Sequence, residues 1–200
     1  MSYVQPIVIQ KTGTHEDIVS AVTLASYAAY LSRDTAQAFP YFWDEWLEDS
    51  FTKSVRRCDD ELFAKICREH PKTVLMGIGE SRVLAFGPME EPFPKLIKKC
   101  QVANTEMPRV GWNRPPSKGF VISINPDVKM STGKTAAQCA HAFFGYHIQF
   151  SSSLQSLRIT NDKEVFEKLF TQKSDTVEIF DAGKTEIEPN TLTVIAGILR

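Results

Sequence analysis

Hydrophobic and polar positions along this chain alternate between two rhythms, one of period two and one near 3.6. In the second half, Gly119–Asn125 (G-F-V-I-S-I-N) is an apolar, β-branched run that predicts a strand. Pro126-Asp127 breaks it, and Thr132 is the expected N-cap of a helix reaching about Phe150. Leu154–Thr160 predicts a second strand, Asp162–Phe170 a short helix and Val177–Asp181 a third strand. After a Glu-Pro-Asn turn, Thr191–Leu199 predicts a fourth. The order is β-α-β-α-β-β.

The first half parses the same way. Val4–Gln10 predicts a strand, Lys11–Thr14 a polar loop, and His15–Leu31 a helix. Trp43 and Trp46 lie in a turn or short helix. Phe51–Cys58 reads as a strand, although its two arginines also suit a continued helix. Asp59–His70 predicts a helix capped by Asp59 or Asp60, and Lys72–Ile78 and Arg82–Phe86 close as strands around Gly79-Glu80-Ser81. This is β-α-β-α-β-β again. We therefore expect an α/β fold with two similar halves, at 1–87 and 119–200, joined by a Pro-rich linker with a short helix at 88–118. The aromatic cluster Phe39–Trp46 is flanked by acids that would repel RNA, so it reads as core or interface packing.

Composition narrows the classes. The longest apolar stretch, Ile18–Leu31, is interrupted by Ser20, Thr23 and Ser26, and no basic segment precedes it, so neither a membrane span nor a signal peptide is expected. Cys58, Cys67, Cys100 and Cys139 show no C-x-x-C spacing, which predicts reduced thiols in a cytoplasmic protein and no metal site. A net charge of −1 argues against general affinity for nucleic acid. The charge is unevenly spread, however. Eight basic residues against two acidic ones between Lys95 and Lys134 give +6 locally and leave −7 elsewhere, which suits a phosphate-bearing partner near the second half.

The densest chemistry lies in Met130–His141 (M-S-T-G-K-T-A-A-Q-C-A-H). Lys134, Gln138 and His141 fall at i, i+4 and i+7, one helical face, near a helix start whose free N–H groups favour anions. Ser131-Thr-Gly-Lys-Thr135 suggests a phosphate loop, but the position five before Gly133 is Val128 where that pattern needs glycine, and Pro126-Asp127 replace the flexible part. The nucleoside-triphosphatase reading fails on spacing.

A different match is close. G-K-T-A-A-Q-C-A-H-A, followed by D-A-G-K-T-E-I-E-P-N-T-L-T-V-I-A, resembles the type II peptidyl-tRNA hydrolases, with their G-K-x-A-A-Q-x-x-H-A helix and D-A-G-R-T-Q-I-x-P-G-T-x-T-V strands. The resemblance covers about Gly119 to Leu199. It implies a three-layer α/β/α fold with a mixed sheet, and hydrolysis of the ester joining a peptide to tRNA without metal or organic cofactor. The catalytic site it implies is built from Lys134, Gln138 and His141 on the helix, with Asp181 and Thr185 opposite. Asp181 could orient or deprotonate the water, and Lys134 could neutralise the oxyanion or a terminal phosphate. Gln138 and Thr185 could position the ester, with His141 one turn deeper as an orienter. Lys118, Lys129 and Lys184 are the candidate RNA contacts, and tRNA or peptidyl-tRNA the expected partner.

The departures are specific. Lys184 stands where the family has arginine and Glu186 where it has glutamine, which loses a bidentate fork and adds a negative charge near an anionic substrate. Ser123-Ile-Asn-Pro-Asp127 replaces the usual Arg-x-Asp-Leu, and the Trp…Gly-Gln-x-Lys segment after the helix is missing. Trp46 and Lys53-Ser-Val-Arg56 in the first half weakly resemble that segment. No counterpart of Gly133-Lys134 or Gln138 occurs near His15, so the first half is expected to be a non-catalytic copy. The chain is then either a monomeric pseudo-dimer or a homodimer.

Overall fold

A computed structural model of the chain describes residues 3–34, 41–49, 51–71, 73–102, 105–115, 117–150, 156–183 and 186–200. The first half contains β1 (Tyr3–Gln10), α1 (His15–Leu31), α2 (Trp43–Glu48), β2 (Lys53–Cys58), α3 (Asp60–Glu69), β3 (Val74–Ile78) and β4 (Ser81–Ala85). β5 (Met89–Glu90) and α4 (Lys95–Lys99) follow in the connecting segment. The second half contains β6 (Gly119–Ile124), α5 (Thr132–Phe150), β7 (Ile159–Thr160), α6 (Lys163–Gln172), β8 (Thr176–Phe180) and β9 (Leu192–Leu199).

The strand order is β2-β1-β4-β3 in one sheet and β7-β6-β9-β8 in the other. In each, the first two strands of the half run parallel, and the last runs antiparallel between the first and third. The two halves thus share one topology.

Period-two alternation gives each sheet two apolar faces. Val4 and Val8 point outward onto Phe63 and Ile66 of α3 and onto Leu96 and Ile97 of α4, while Ile7 and Ile9 point inward. Likewise Val121 and Ile195 meet Val165 and Leu169 of α6, whereas Phe120, Ile122, Val194 and Ala196 face the interior. Each half is therefore an α/β/α sandwich of the expected class, with a mixed sheet. The inner helices, α1 and α5, lie against each other in one common core.

Those two helices run parallel. His15 meets Thr132 at their starts, and Tyr27 packs edge-on against Phe143 and Phe144 two-thirds of the way along. Sandwiched between a sheet and a second helix, each is apolar on most sides, and Ala21, Ala25, Ala136 and Ala140 allow close approach. The aromatic cluster fills the same interior. Trp43 and Trp46 stack edge-on with Tyr30 and Phe144, and the Lys53 ammonium lies 4.5 Å and 4.6 Å from the ring centroids of Trp46 and Phe144. Burial pushes the Lys53 amine well below the usual lysine range.

Several boundaries differ from the sequence reading. The second strand of the second half is only Ile159–Thr160, residues 154–155 lie outside the described residues, and 156–158 are not strand. Lys72 and Phe39-Pro40 also lie outside the described residues. Phe51–Cys58 is strand from Lys53 onward, because β1 pairs with it in parallel over six residues. The Pro-rich segment is well anchored: Met89, Phe93, Leu96, Ile97 and Cys100 are buried under the first sheet. Among the described residues no helix is long and apolar enough to cross a membrane.

Phe144 is fully buried where both halves meet. Phe144→Ala is expected to cost about 3–5 kcal/mol, measured by urea denaturation. Because the core is continuous, the variant should still unfold in one transition; two separated transitions would show halves that unfold independently.

Candidate active site

The first turn of α5 shows how the site is assembled. Ser131 caps the helix: its Oγ accepts from Lys134 N (3.3 Å), and its carbonyl accepts from Thr135 N (2.9 Å). Thr132, the expected cap, is drawn inward instead. Its Oγ1 lies 3.0 Å from His15 Nδ1 and accepts from Met107 N (3.1 Å). Gly133 N donates to Thr105 O (3.3 Å), and a Cβ on Gly133 would lie 3.2 Å from Thr105 Cβ, so glycine admits the strap of residues 105–109.

That strap, with Glu186, changes the anion-binding expectation. Ser131 N donates to Glu186 Oε1 at 2.7 Å. The chain's own acceptors therefore occupy the N–H groups of Ser131, Gly133 and Lys134 that an incoming phosphate would use. Three of the amides at this helix end are taken by the protein itself.

Beyond it the structure brings together three side chains, those of Lys134, Gln138 and Asp181. Asp181 follows the end of β8 and is held by its backbone, with Asp181 N donating to Thr191 O (2.9 Å) and Asn190 N donating to Asp181 O (2.7 Å). Its Oδ2 forms an ion pair with Lys134 Nζ and accepts from Gln138 Nε2 at 2.7 Å. Its Oδ1 accepts from Gly183 N at 2.8 Å. Gly183 has φ +70°, and a Cβ there would lie 2.8 Å from Pro189 Cβ, so the Asp-Ala-Gly turn requires glycine. The Asp181 side chain is 1% exposed and that of Lys134 16%, so of the two partners only the lysine keeps an edge toward solvent.

The other expected residues are placed differently. His141 is turned to the first half, with Nε2 2.9 Å from Phe51 O and its ring edge-on to Phe51 at 4.6 Å. Thr185 and Lys184 lie outside the described residues. Lys118 and Lys129 are exposed, and Lys129 lines a cleft of about 690 Å³ beside the α5 start, beyond the ends of the parallel strands β6 and β7. His15, Arg109, Trp112 and Glu186 also line it. The strap residues Thr105, Arg109 and Trp112 escaped the sequence reading; their only signal was the local excess of basic residues. Among the described residues no three His, Cys, Asp or Glu side chains converge as a metal-binding group.

The first half repeats the geometry without the chemistry. Thr14 caps α1 by accepting from Asp17 N (3.2 Å), so Asp17 holds the place of Lys134. The β3–β4 turn is Gly79-Glu80, where the second half has the long Asp181–Thr191 connection. A Cβ on Gly79 would lie 2.6 Å from Asp17 Oδ2. A carboxylate beside a glycine replaces the ammonium–carboxylate–amide group.

The second half thus presents a lysine–aspartate pair braced by a glutamine, at the end of an α/β/α sandwich. Residues 119–198 match the family model described as peptidyl-tRNA hydrolase PTH2, a family of hydrolases, over the stretch that carries both motifs. No curated protein matches the chain.

His15 gives this region a pH dependence. Burial, and secondarily the Arg109 guanidinium, lower its pKa to about 4, against a smaller opposing effect of Glu16. The unfolded state binds a proton near pH 6.5 that the native state refuses until about pH 4. The stability His15 contributes is present above pH 6.5 and is lost as pH falls toward 4, by about 3 kcal/mol. Urea midpoints measured from pH 7 to 4 should fall more steeply in the wild type than in His15→Asn; equal slopes would refute this.

Proposed function

We propose that the second half hydrolyses the ester bond between a peptide, or an N-blocked aminoacyl group, and tRNA, without a metal, and so recycles tRNA in the cytoplasm. The observation that carries this reading is the Lys134–Asp181–Gln138 group, formed by the residues of both motifs. An ionised carboxylate offers about four lone-pair sites. Gly183, Gln138 and Lys134 occupy three of them, which leaves one on Oδ1 that the attacking water would take once it is admitted past Lys134 with the substrate. Asp181 orients that water and receives its proton. Lys134, held by Asp181 and open on one side, supports the oxyanion of the tetrahedral intermediate or a terminal phosphate. Gln138 fixes the carboxylate, Thr185 positions the ester, and His141 keeps α5 in register with the first half. Lys118, Lys129 and Lys184 contact RNA phosphates. The first half stands in for a partner subunit, so the chain works as a monomeric pseudo-dimer with domains at 1–87 and 119–200.

Incubation with N-blocked aminoacyl-tRNA tests this. Lys134→Ala is expected to release product about 10²–10³-fold more slowly than wild type, and chelator should leave the wild-type rate unchanged. Wild-type release no faster than that of Lys134→Ala would sink the proposal.

One observation favours a second reading, a non-catalytic RNA-binding or scaffold protein that retains the fold. The Glu186 carboxylate sits on Ser131 N, where a substrate phosphate would compete with it. Under this reading tRNA binds in a salt-sensitive manner with no hydrolysis, and Glu186→Gln tightens binding. Filter binding across a salt series, run beside the hydrolysis assay, separates the two readings.

A further inference from the structure

Beyond the candidate site, the first half brings two cysteines together. Arg57 in β2 and Gln101 form an isolated antiparallel bridge and exchange both backbone hydrogen bonds, Arg57 N to Gln101 O at 2.8 Å and Gln101 N to Arg57 O at 2.9 Å. Arg57 Nε and Nη2 also hold Gln101 Oε1, at 3.1 Å and 2.9 Å. One residue further along each strand are Cys58 and Cys100. They occupy the non-hydrogen-bonded cross-strand position, where Cα atoms lie about 4.5 Å apart. That spacing falls within the disulfide range of roughly 4.4–6.8 Å.

Both side chains leave the face that Arg57 and Gln101 share. They meet in the outer apolar cluster with Val8, Phe63 and Ile97, where Cys58 Sγ donates to Ile9 O (3.9 Å) and Cys100 Sγ to Leu96 O (3.6 Å). We propose that Cys58 and Cys100 are an oxidation site, a cross-strand dithiol that peroxide converts to a disulfide.

The two sulfurs have unequal roles. The adjoining Cys58 thiol, and then the nearby Arg56 guanidinium, hold the Cys100 thiol below its ordinary value, against burial and Asp59. The proximity of Cys100, with burial, raises Cys58. Cys100 is therefore the attacking thiolate. It attacks one peroxide oxygen, the O–O bond breaks, and hydroxide leaves, giving a sulfenic acid at Cys100. The Cys58 sulfur then displaces hydroxide from the Cys100 sulfur as its own proton is released. Overall, two thiols and one hydrogen peroxide give one disulfide and two waters. Peroxide is small and uncharged, as suits thiols only 7% and 4% exposed. Cys139 is buried inside α5 with its thiol pushed up, and burial likewise raises Cys67. The disulfide would pin the start of the segment whose Thr105, five residues on, receives Gly133 N.

The test is native full-length protein treated with equimolar hydrogen peroxide, then denatured, alkylated and mapped by mass spectrometry without reduction. Two of the four cysteines should resist alkylation. The Cys58 and Cys100 peptides should run as one species lighter by two hydrogens, reversed by dithiothreitol. Cys67→Ser should keep the cross-link. Cys100→Ser should abolish it and leave Cys58 alkylatable, with an unchanged circular dichroism spectrum showing that this variant folds. Four alkylatable thiols, a Cys58–Cys67 pairing, or sulfinic acid at Cys100 without cross-link would each overturn the proposal.

Discussion

The parallel contact between α1 and α5 is the constraint that organises this molecule. Each helix covers the inner face of its own sheet and has another side left to bury, and each supplies that cover for the other. Parallel packing also places two positive helix ends side by side, an arrangement that needs negative partners. The structure supplies one at each end. Glu16 accepts from Val110 N and Gly111 N beside the α1 start, and hydrogen bonds to those amides hold its carboxyl below the ordinary range despite burial. Glu186 accepts from Ser131 N beside the α5 start. Between them runs the strap, with Pro108 O on His15 N and Thr105 O on Gly133 N. A cationic imidazole would be unwelcome there, which agrees with the depressed pKa of His15.

From this common frame the halves diverge in chemistry. Their strand orders coincide, and both inner helices begin with a hydroxyl cap that accepts from the third helical residue. The difference lies in two positions and one loop length. A long connection after β8 lets the chain turn back and present Asp181 to Lys134, whereas a two-residue turn after β3 brings only Gly79 to Asp17. Conformational cost reinforces this asymmetry. The longer connection is tied down by Asn190 N on Asp181 O and by the Gly183 turn, so the carboxylate is ordered before any ligand arrives.

Strands made of β-branched runs, such as Gly119–Ile124 and Leu192–Leu199, were legible in the sequence because burial on both faces leaves them uninterrupted apolar. β2 was doubtful since K-S-V-R-R-C carries charges; it is an edge strand whose cations find rings and glutamine, as Lys53 does over Trp46 and Arg57 on Gln101. Ser131 and Thr132 are both good caps, and only a partner far away in sequence, His15, distinguishes them. The strap had no periodicity to read, for its position is set by hydrogen bonds to helix ends and not by a pattern of burial. The stripe of Lys134, Gln138 and His141 was legible as a face, yet one side of the face meets Asp181 and the other meets Phe51. Helical spacing specifies neighbours on one helix and is silent about what stands opposite.

The Lys134–Asp181 pair is a poor device for stability. Removing two charges from water costs several kcal/mol per ion, and well-packed apolar residues of the same volume commonly do as well. The first half makes that point internally: the same fold closes there over Gly79 and Asp17, a glycine beside a carboxylate in place of the lysine–aspartate pair. A charge pair that the architecture does not require, oriented by Gln138 and Gly183 and exposed only on its lysine side, is preorganised polarity. Its stabilising value rises only when a further negative charge arrives beside Lys134, as happens when an ester carbonyl becomes an oxyanion. The physical case for chemistry in the second half rests on that difference between the two helix starts.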